Sequence, residues 1–421
     1  MLKTNFLSII FVVLTTSFFQ LFSQISSNSP YTYYGIGETE RMGFSQSSSM
    51  GGMGIGLRTS SEINYLNPAS YNAQDSLTFL MDAGVSQSFV NAKNPTTQAN
   101  FSQFNIDHIS FAFPVTKWWG SAIGISPYSN VAYRIVADDF ENSTQYSYNG
   151  NGGLNQLFVG NSFGLLNNKL NLGCNVSYLF GNINNADSIL TNDYYSISQI
   201  KYREVAMRGL NLNFGLQYIK HVSDKNFILL GLVYDYSSNI DAQIKDQLLT
   251  WSSATSMSSN PDTVFMVENV NSSFKTPAKI GFGVSFNTEK IIFGVDYSTR
   301  QWSKAKFWDK SFDVQDSESY NVGCQYTPDR NSFRSYYKRI DYRVGLFYHN
   351  TYWNIKNKPI NDYGITFGCG LPFSNSKSTF NIGLTVGKRG DSENGFLGEY
   401  YTKVSISLKF SELWFYKHRY N

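Results

Sequence analysis

Cysteine, proline, net charge and long hydrophobic runs are all in short supply in this chain of 421 residues, and each shortage removes a class of protein. The three cysteines, Cys174, Cys324 and Cys369, are odd in number and far apart, which excludes a disulfide framework. Each sits among apolar neighbours of the same parity and reads as a small hydrophobe. The four histidines, His108, His221, His349 and His418, lack the spacing of a metal site, so no metal and no cofactor is expected. Lysine and arginine number 34 against 31 acidic residues, a balance that gives no electrostatic footprint for nucleic acid. Ten prolines and no charge-rich linker leave no visible domain boundary. Downstream of the N-terminus no apolar run reaches the roughly 20 residues of a membrane-spanning helix. If the chain lies in a membrane, it crosses as a closed barrel.

What is present fits that alternative. Phe, Tyr and Trp make up 16% of the residues, yet the mean hydropathy is only -0.28, so apolar rings are interleaved with polar neighbours. The first 23 residues read as a secretory signal peptide: a basic head at Met1–Lys3, an apolar core from Phe6 to Leu14 and a more polar end near Ser23. An uncleaved anchor is the competing reading, against which the apolar run is short. Period-2 alternation then marks strands at 77–90, 103–114, 118–135, 153–166, 169–182, 203–219 and 226–241. Seven more fall at 276–287, 290–301, 319–327, 337–350, 360–371, 378–388 and 401–411. Connections after even strands are mostly short, and those after odd strands are long, with 242–275 the longest. Short turns at one end and long loops at the other predict an all-β fold, a 14-stranded antiparallel transmembrane β-barrel over 76–411, in the outer membrane of a Gram-negative cell.

Parity assigns the faces. Ile280, Phe282, Val284 and Phe286 alternate with Lys279, Gly281, Gly283 and Ser285, and the apolar set faces membrane lipid. Trp118, Trp119, Trp302, Trp353 and Trp414 fall at or beyond strand ends and are expected at the headgroup level, or as ordinary loop tryptophans. Inward positions carry many glycines, among them Gly173, Gly215, Gly283 and Gly345, and a row of strand glycines marks the close approach of another backbone. The occupant expected is the N-terminal segment 24–75, a luminal hatch. Inward charges at Asp296, Arg300, Arg339, Asp341 and Arg343 form a candidate luminal cluster, either paired structurally or touching a substrate. Pro127, in the third strand, lacks a ladder donor and marks either a lateral opening or a bulge. Serine, histidine and acid pairings such as Ser110 with His108 are those chance supplies, so no enzyme is expected. Gly52, Gly54 and Gly56 have no preceding strand or following helix, so they do not make a phosphate loop.

Several motifs occur in an order that resembles the FadL/OmpP1 outer-membrane transporter family, in the form found in Bacteroidota. They are Asn67-Pro68-Ala69 within the hatch, Thr276-Pro277, Asp296-Tyr297 followed by Trp302-Ser303, Tyr342-Arg343-Val344-Gly345, Gly387-Lys388-Arg389-Gly390 and Trp414-Phe415-Tyr416-Lys417. The resemblance implies a hatch-blocked barrel for passive uptake of a hydrophobic small molecule such as a long-chain fatty acid, with lateral exit at a kinked third strand. It also leaves open a barrel that does not transport and serves as scaffold or shuttle subunit among other outer-membrane proteins of a secretion or assembly complex. A tail at 412–421 departs from the family's terminal strand and is expected in the periplasm, available to a partner.

Overall fold

The computed structural model describes residues 29–39, 42–191, 196–252, 261–308, 312–373, 377–392 and 396–414. The signal-peptide reading of 1–23 and most of the tail at 412–421 therefore lie outside the described residues. A two-residue strand, β1 (Glu38–Thr39), belongs to the N-terminal segment. The wall follows as β2 (Thr78–Lys93), β3 (Gln98–Pro114), β4 (Trp119–Pro127), β5 (Ser129–Asp139), β6 (Thr144–Leu165), β7 (Leu170–Thr191), β8 (Ile197–His221) and β9 (Phe227–Asp235). It continues through β10 (Asn239–Ser252), β11 (Asp262–Lys275), β12 (Lys279–Asn287), β13 (Ile291–Arg300) and β14 (Ser317–Tyr326). The last four are β15 (Asp341–Ile355), β16 (Lys358–Pro372), β17 (Thr379–Gly390) and β18 (Gly398–Leu413).

Neighbours pair antiparallel, and β18 returns to pair with β2, from Gly398 opposite Lys93 to Leu413 opposite Thr78, which closes the sheet. Three staves are each broken in two: β4 with β5, β9 with β10, and β11 with β12. Both halves of the first lie against β6, and both halves of the second against β8. The wall is thus a closed 14-stranded antiparallel barrel, with every stave where alternation places it. Closure matters in a bilayer because an open edge there would leave backbone donors and acceptors without partners.

Side chains follow the pleat. Ile280, Phe282, Val284 and Phe286 are exposed on the outer face, while Ser285, Asn211, Asn213 and Gln217 are buried inside. The three cysteines are free. On the outer face Tyr297, Tyr320, Tyr348 and Tyr363 sit in cross-strand register, ring beside ring at 5.0 to 6.4 Å, a girdle of the kind that marks the membrane–water boundary. At the opposite end Leu166, Asn167 and Asn168 all take positive φ to make the tight β6–β7 turn. The predicted alternation of short and long connections is present, but much of the expected loop is strand. β6, β7 and β8 run to 22, 22 and 25 residues, and 242–275 is chiefly the hairpin β10–β11 rather than a loop.

Two expected tryptophan anchors belong elsewhere. Trp302 is fully buried and Trp353 nearly so, in an apolar cluster at the long-loop end with Tyr31, Ile36, Trp308 and Tyr352. Trp302 stacks on Tyr352 at 4.1 Å. Trp118 and Trp414 are the exposed ones, at the short-turn end. Strand-end position is a correct cue for all four, but it does not say whether an indole turns outward to lipid or inward to cap the bore.

Candidate functional site

The described residues of 29–75 lie inside the barrel, in short turns, the two-residue strand β1, one helical turn α1 (Ser45–Ser49) and two 3-10 helices, Pro30–Tyr33 and Pro68–Ala73. A segment so short on regular structure must satisfy its backbone groups elsewhere. Here the wall supplies the partners. The carboxylate of Asp296 accepts three consecutive amides of the inner segment, Gly54 at 2.6 Å, Ile55 at 2.6 Å and Gly56 at 3.0 Å, and Asp296 is only 1% exposed. Amide N–H groups converging on a carboxylate form charge-assisted bonds, each stronger than a neutral one. The Gly54 and Gly56 positions thus bind an anion after all, but the anion is the protein's own side chain.

Two further ionic anchors tie the segment down. Glu62 takes Arg343 at 3.3 Å and Lys409 at 3.4 Å, and Arg343 also donates to Gln325 and Asn381, each at 2.9 Å. Glu38 pairs with Arg389, which also holds Asp362 at 3.2 Å and Glu399 at 3.5 Å. Among the described residues Arg58 has no carboxylate partner: it donates to the Ala69 carbonyl at 2.9 Å, to Asn72 at 3.0 Å and to Gln217 at 3.3 Å. Burial pushes its guanidinium down to about 10, so it remains protonated at neutral pH.

Asn67, Pro68 and Ala69 open the 3-10 helix of this segment. The Asn67 side chain accepts from the Ala69 amide at 3.1 Å, capping the 3-10 helix, and donates to the Ile55 carbonyl at 2.9 Å. Ala69 gives its carbonyl to Arg58 and to Ser162 of the wall. Inward glycines make this proximity possible. A Cβ on Gly231 would overlap the Ile55 carbonyl, and one on Gly345 would overlap the amide of Gly51.

The predicted charge cluster is divided by the structure. Asp296 holds the segment; Arg300 pairs with Asp235 at 2.9 Å; Arg343 belongs with Glu62. Asp341 sits toward the short-turn end, with Thr327 at 2.6 Å and Arg330 at 3.0 Å, and it meets one other predicted member, Arg343 at 3.5 Å. Arg339 lies in a connection and not on a wall strand. It lies in a 3-10 helix, Tyr336–Arg339, with its guanidinium over the Tyr336 ring at 5.1 Å, because β15 starts at Asp341 and the parity argument does not extend into the turn. Glu62, Arg58 and Glu38 escape a sequence reading, since a segment without periodicity gives side chains no assignable direction. Their one available signal is an isolated charge within a Gly- and Ser-rich stretch.

Pro127 ends β4, and the stave resumes at Ser129. The ladder between β3 and β4 runs only from Ile109 to Pro114, so the upper part of β3 extends past it. β5 instead takes β1 of the inner segment, Glu38 opposite Asn130. A cavity of about 130 Å³ lies beside this break, lined by Glu38, Asp107, Asp362, Arg389, Glu399 and Lys403 together with Pro127, Val90 and Phe101. A second, of about 90 Å³, is lined by Asp235, Lys279, Asp296 and Arg300. Among the described residues no cluster of metal-binding side chains occurs.

A family model described as BamG matches residues 1–421. Among solved structures, the Pseudomonas putida toluene transporter TodX is similar at a TM-score of 0.62 and 14% identity, over 90% of this chain and 100% of that one. The CymD monoaromatic hydrocarbon channel gives 0.56 at 14% identity, over 91% and 100% of the two chains. A Pseudomonas aeruginosa FadL homologue gives 0.57 at 12%, over 89% and 98%. At these identities the likeness is one of fold, that of the outer-membrane FadL-type barrel. Comparison with curated protein sequences gives no match.

Proposed function

The chain belongs to the BamG family, and from that premise we propose that it is a plugged, non-transporting barrel, a subunit built to associate with other proteins of a Gram-negative outer membrane. The family name suggests such association, while the solved structures of like fold carry transporter and channel names. One observation favours the first reading. Two spaces left between segment and wall are about 130 and 90 Å³, and charged side chains stand among the groups that border each. Sites for apolar ligands are mostly apolar and hold roughly 300–1,000 Å³. A fatty acid passing this way would have to strip water from Glu38, Asp107, Asp362 and Arg389 without repaying it.

The second reading, uptake of a hydrophobic compound with lateral exit, rests on the break after Pro127 and the short ladder between β3 and β4. Pro127→Ala separates them. With the plugged reading, uptake of labelled fatty acid stays at the level of cells lacking the protein, both before and after the substitution. Uptake that depends on the natural protein and falls tenfold in the variant would establish the transport reading. Native mass spectrometry of the protein taken gently from its own membrane is the broader test, and the expected species is a stoichiometric complex with other proteins, carrying no acyl ligand. No catalytic role is proposed.

A further inference from the structure

The long-loop end carries an edge that nothing in the barrel covers among the described residues. β10 and β11 form a hairpin beyond the level of the tyrosine girdle, and at about 3.4 Å per residue its 14-residue strands reach roughly 45 Å. β10 is paired on both sides, with β8 and with β11. β11 is not. Its far side meets the protein over its last four residues, where Lys275 bridges to Lys306, Phe274 stacks on Phe307 and the Ser272 hydroxyl donates to the Trp308 carbonyl, and among the described residues Asp262–Asn271 has no second strand. That stretch contains no proline and no lysine, two of the devices that blunt an exposed edge, and two bulges are the device it does carry. Its side chains point the same way: Val264, Phe265, Met266, Val267 and Val270 are 38 to 58% exposed, on both faces of the strand. The one charge within the run, Glu268, is paired to Lys245 of β10 at 2.6 Å.

We propose that β11 is a docking edge for an extended segment of another outer-membrane or surface protein, which adds as a further strand outside the membrane; this rests on the subunit reading above. The ladder of solvated N–H and C=O groups sets the chemistry of the occupant, since a second strand is the protein element that replaces water on it in register along its length. Apolar side chains on both faces call for an apolar middle in the incoming strand. The foot of the edge, where Lys304 and Lys306 are exposed, calls for an acidic residue at the end nearest the membrane. A second copy of this chain fits less well. β11 is bulged at Val264 and at Glu268–Asn269, and laying it antiparallel on itself about Met266 sets bulge against bulge, whereas a regular strand meets each as two residues against one.

Hydrogen exchange on the purified complex, compared with the separated barrel in the same detergent, reads this ladder directly. The amides of Thr263–Asn271 are expected to slow at least tenfold in the complex. The double variant Val264→Lys, Met266→Lys, exposed on an edge and so without effect on the barrel's heat-modifiable mobility, is expected to cut recovery of the partner at least tenfold. A photo-crosslinker at Phe265 in intact cells should give an adduct that maps to an extended segment of that same partner. A complex that forms with no slowing at 263–271, or an adduct only with a second copy or with lipopolysaccharide, overturns the docking edge and leaves the subunit reading standing. Absence of any complex from the native membrane overturns the subunit reading itself.

Discussion

Asp296→Ala is expected to unseat the inner segment while leaving the wall intact. The substitution removes the acceptor of three buried amides, Gly54, Ile55 and Gly56, at once, and water entering from the adjoining cavity of about 90 Å³ offers them only a neutral acceptor in place of a charged one. Hydrogen bonds to a charged acceptor contribute about 1.5–3 kcal/mol each and do not simply add, so a loss of roughly 3–6 kcal/mol in seating is the reasonable range. At about 1.4 kcal/mol per tenfold, exchange of these three amides should accelerate by at least 100-fold. Asp296→Asn should fall between, since it keeps one acceptor oxygen but turns an amide N–H toward another donor. Glu62→Ala provides an independent version, because it leaves Lys409 buried without its counter-charge, a situation that costs about 3–5 kcal/mol, and leaves Arg343 with Asp341 at 3.5 Å alone. Planar-bilayer recordings should then show ion conductance in either variant and none in the natural protein. If the amides of Gly54, Ile55 and Gly56 exchange as slowly in Asp296→Ala as in the natural protein, the carboxylate is not what holds the segment.

Gly231→Val should have an effect of similar size by a different route. A Cβ at this position overlaps the carbonyl of Ile55, and both partners are backbone, which cannot rotate away. Overpacking of this sort costs about 1–3 kcal/mol where side chains can adjust, and more where they cannot. Gly383→Ala is the comparison, since the atoms nearest its Cβ are serine hydroxyls, free to turn. Trypsin added to the folded barrel should cleave after Arg58 in the Gly231 variant and spare the Gly383 variant. Equal protection in both would mean that the segment has room to shift and that the inward glycines serve some other end.

The same glycines show how far the sequence can be read. Alternation at Leu210–Gln217 or Ile280–Phe286 discloses the wall because lipid on one side and a polar bore on the other impose a period of two. The inner segment has no such constraint. Its existence can be inferred from glycines facing inward, but Glu62 and Arg58 cannot be aimed at their partners, since their direction is set by turns with no repeating pattern. Gly231 is hidden for another reason. β9 is apolar on both faces, with Leu229 and Val233 buried inside, so the inward side of that strand gives no polar contrast. The hairpin β10–β11 resembles a loop in sequence because outside the bilayer nothing enforces alternation, and Ser, Thr and Asn there suit strand and loop alike. Trp302 and Trp353 are visible as strand-end aromatics, but the cluster they join is assembled from several separate connections and cannot be seen from any one of them.

The seam between β2 and β18 has a consequence in time rather than in space. Thr78 meets Leu413 across it, so the last stave to be made must find the first, a pairing of very high sequence separation and therefore slow. The segment ahead of β2 ends up encircled, and its anchors lie on staves spread around the ring: Asp296 on β13, Arg343 on β15, Arg389 on β17 and Lys409 on β18. Most of the cage must therefore curl around a strand of chain that is already waiting, and the final zip both shuts the wall and completes the seat. Folding of this protein is in effect the wrapping of a barrel around its own beginning, so a chain delayed before that last step would show its charged interior and its first strand, still awaiting a neighbour, together.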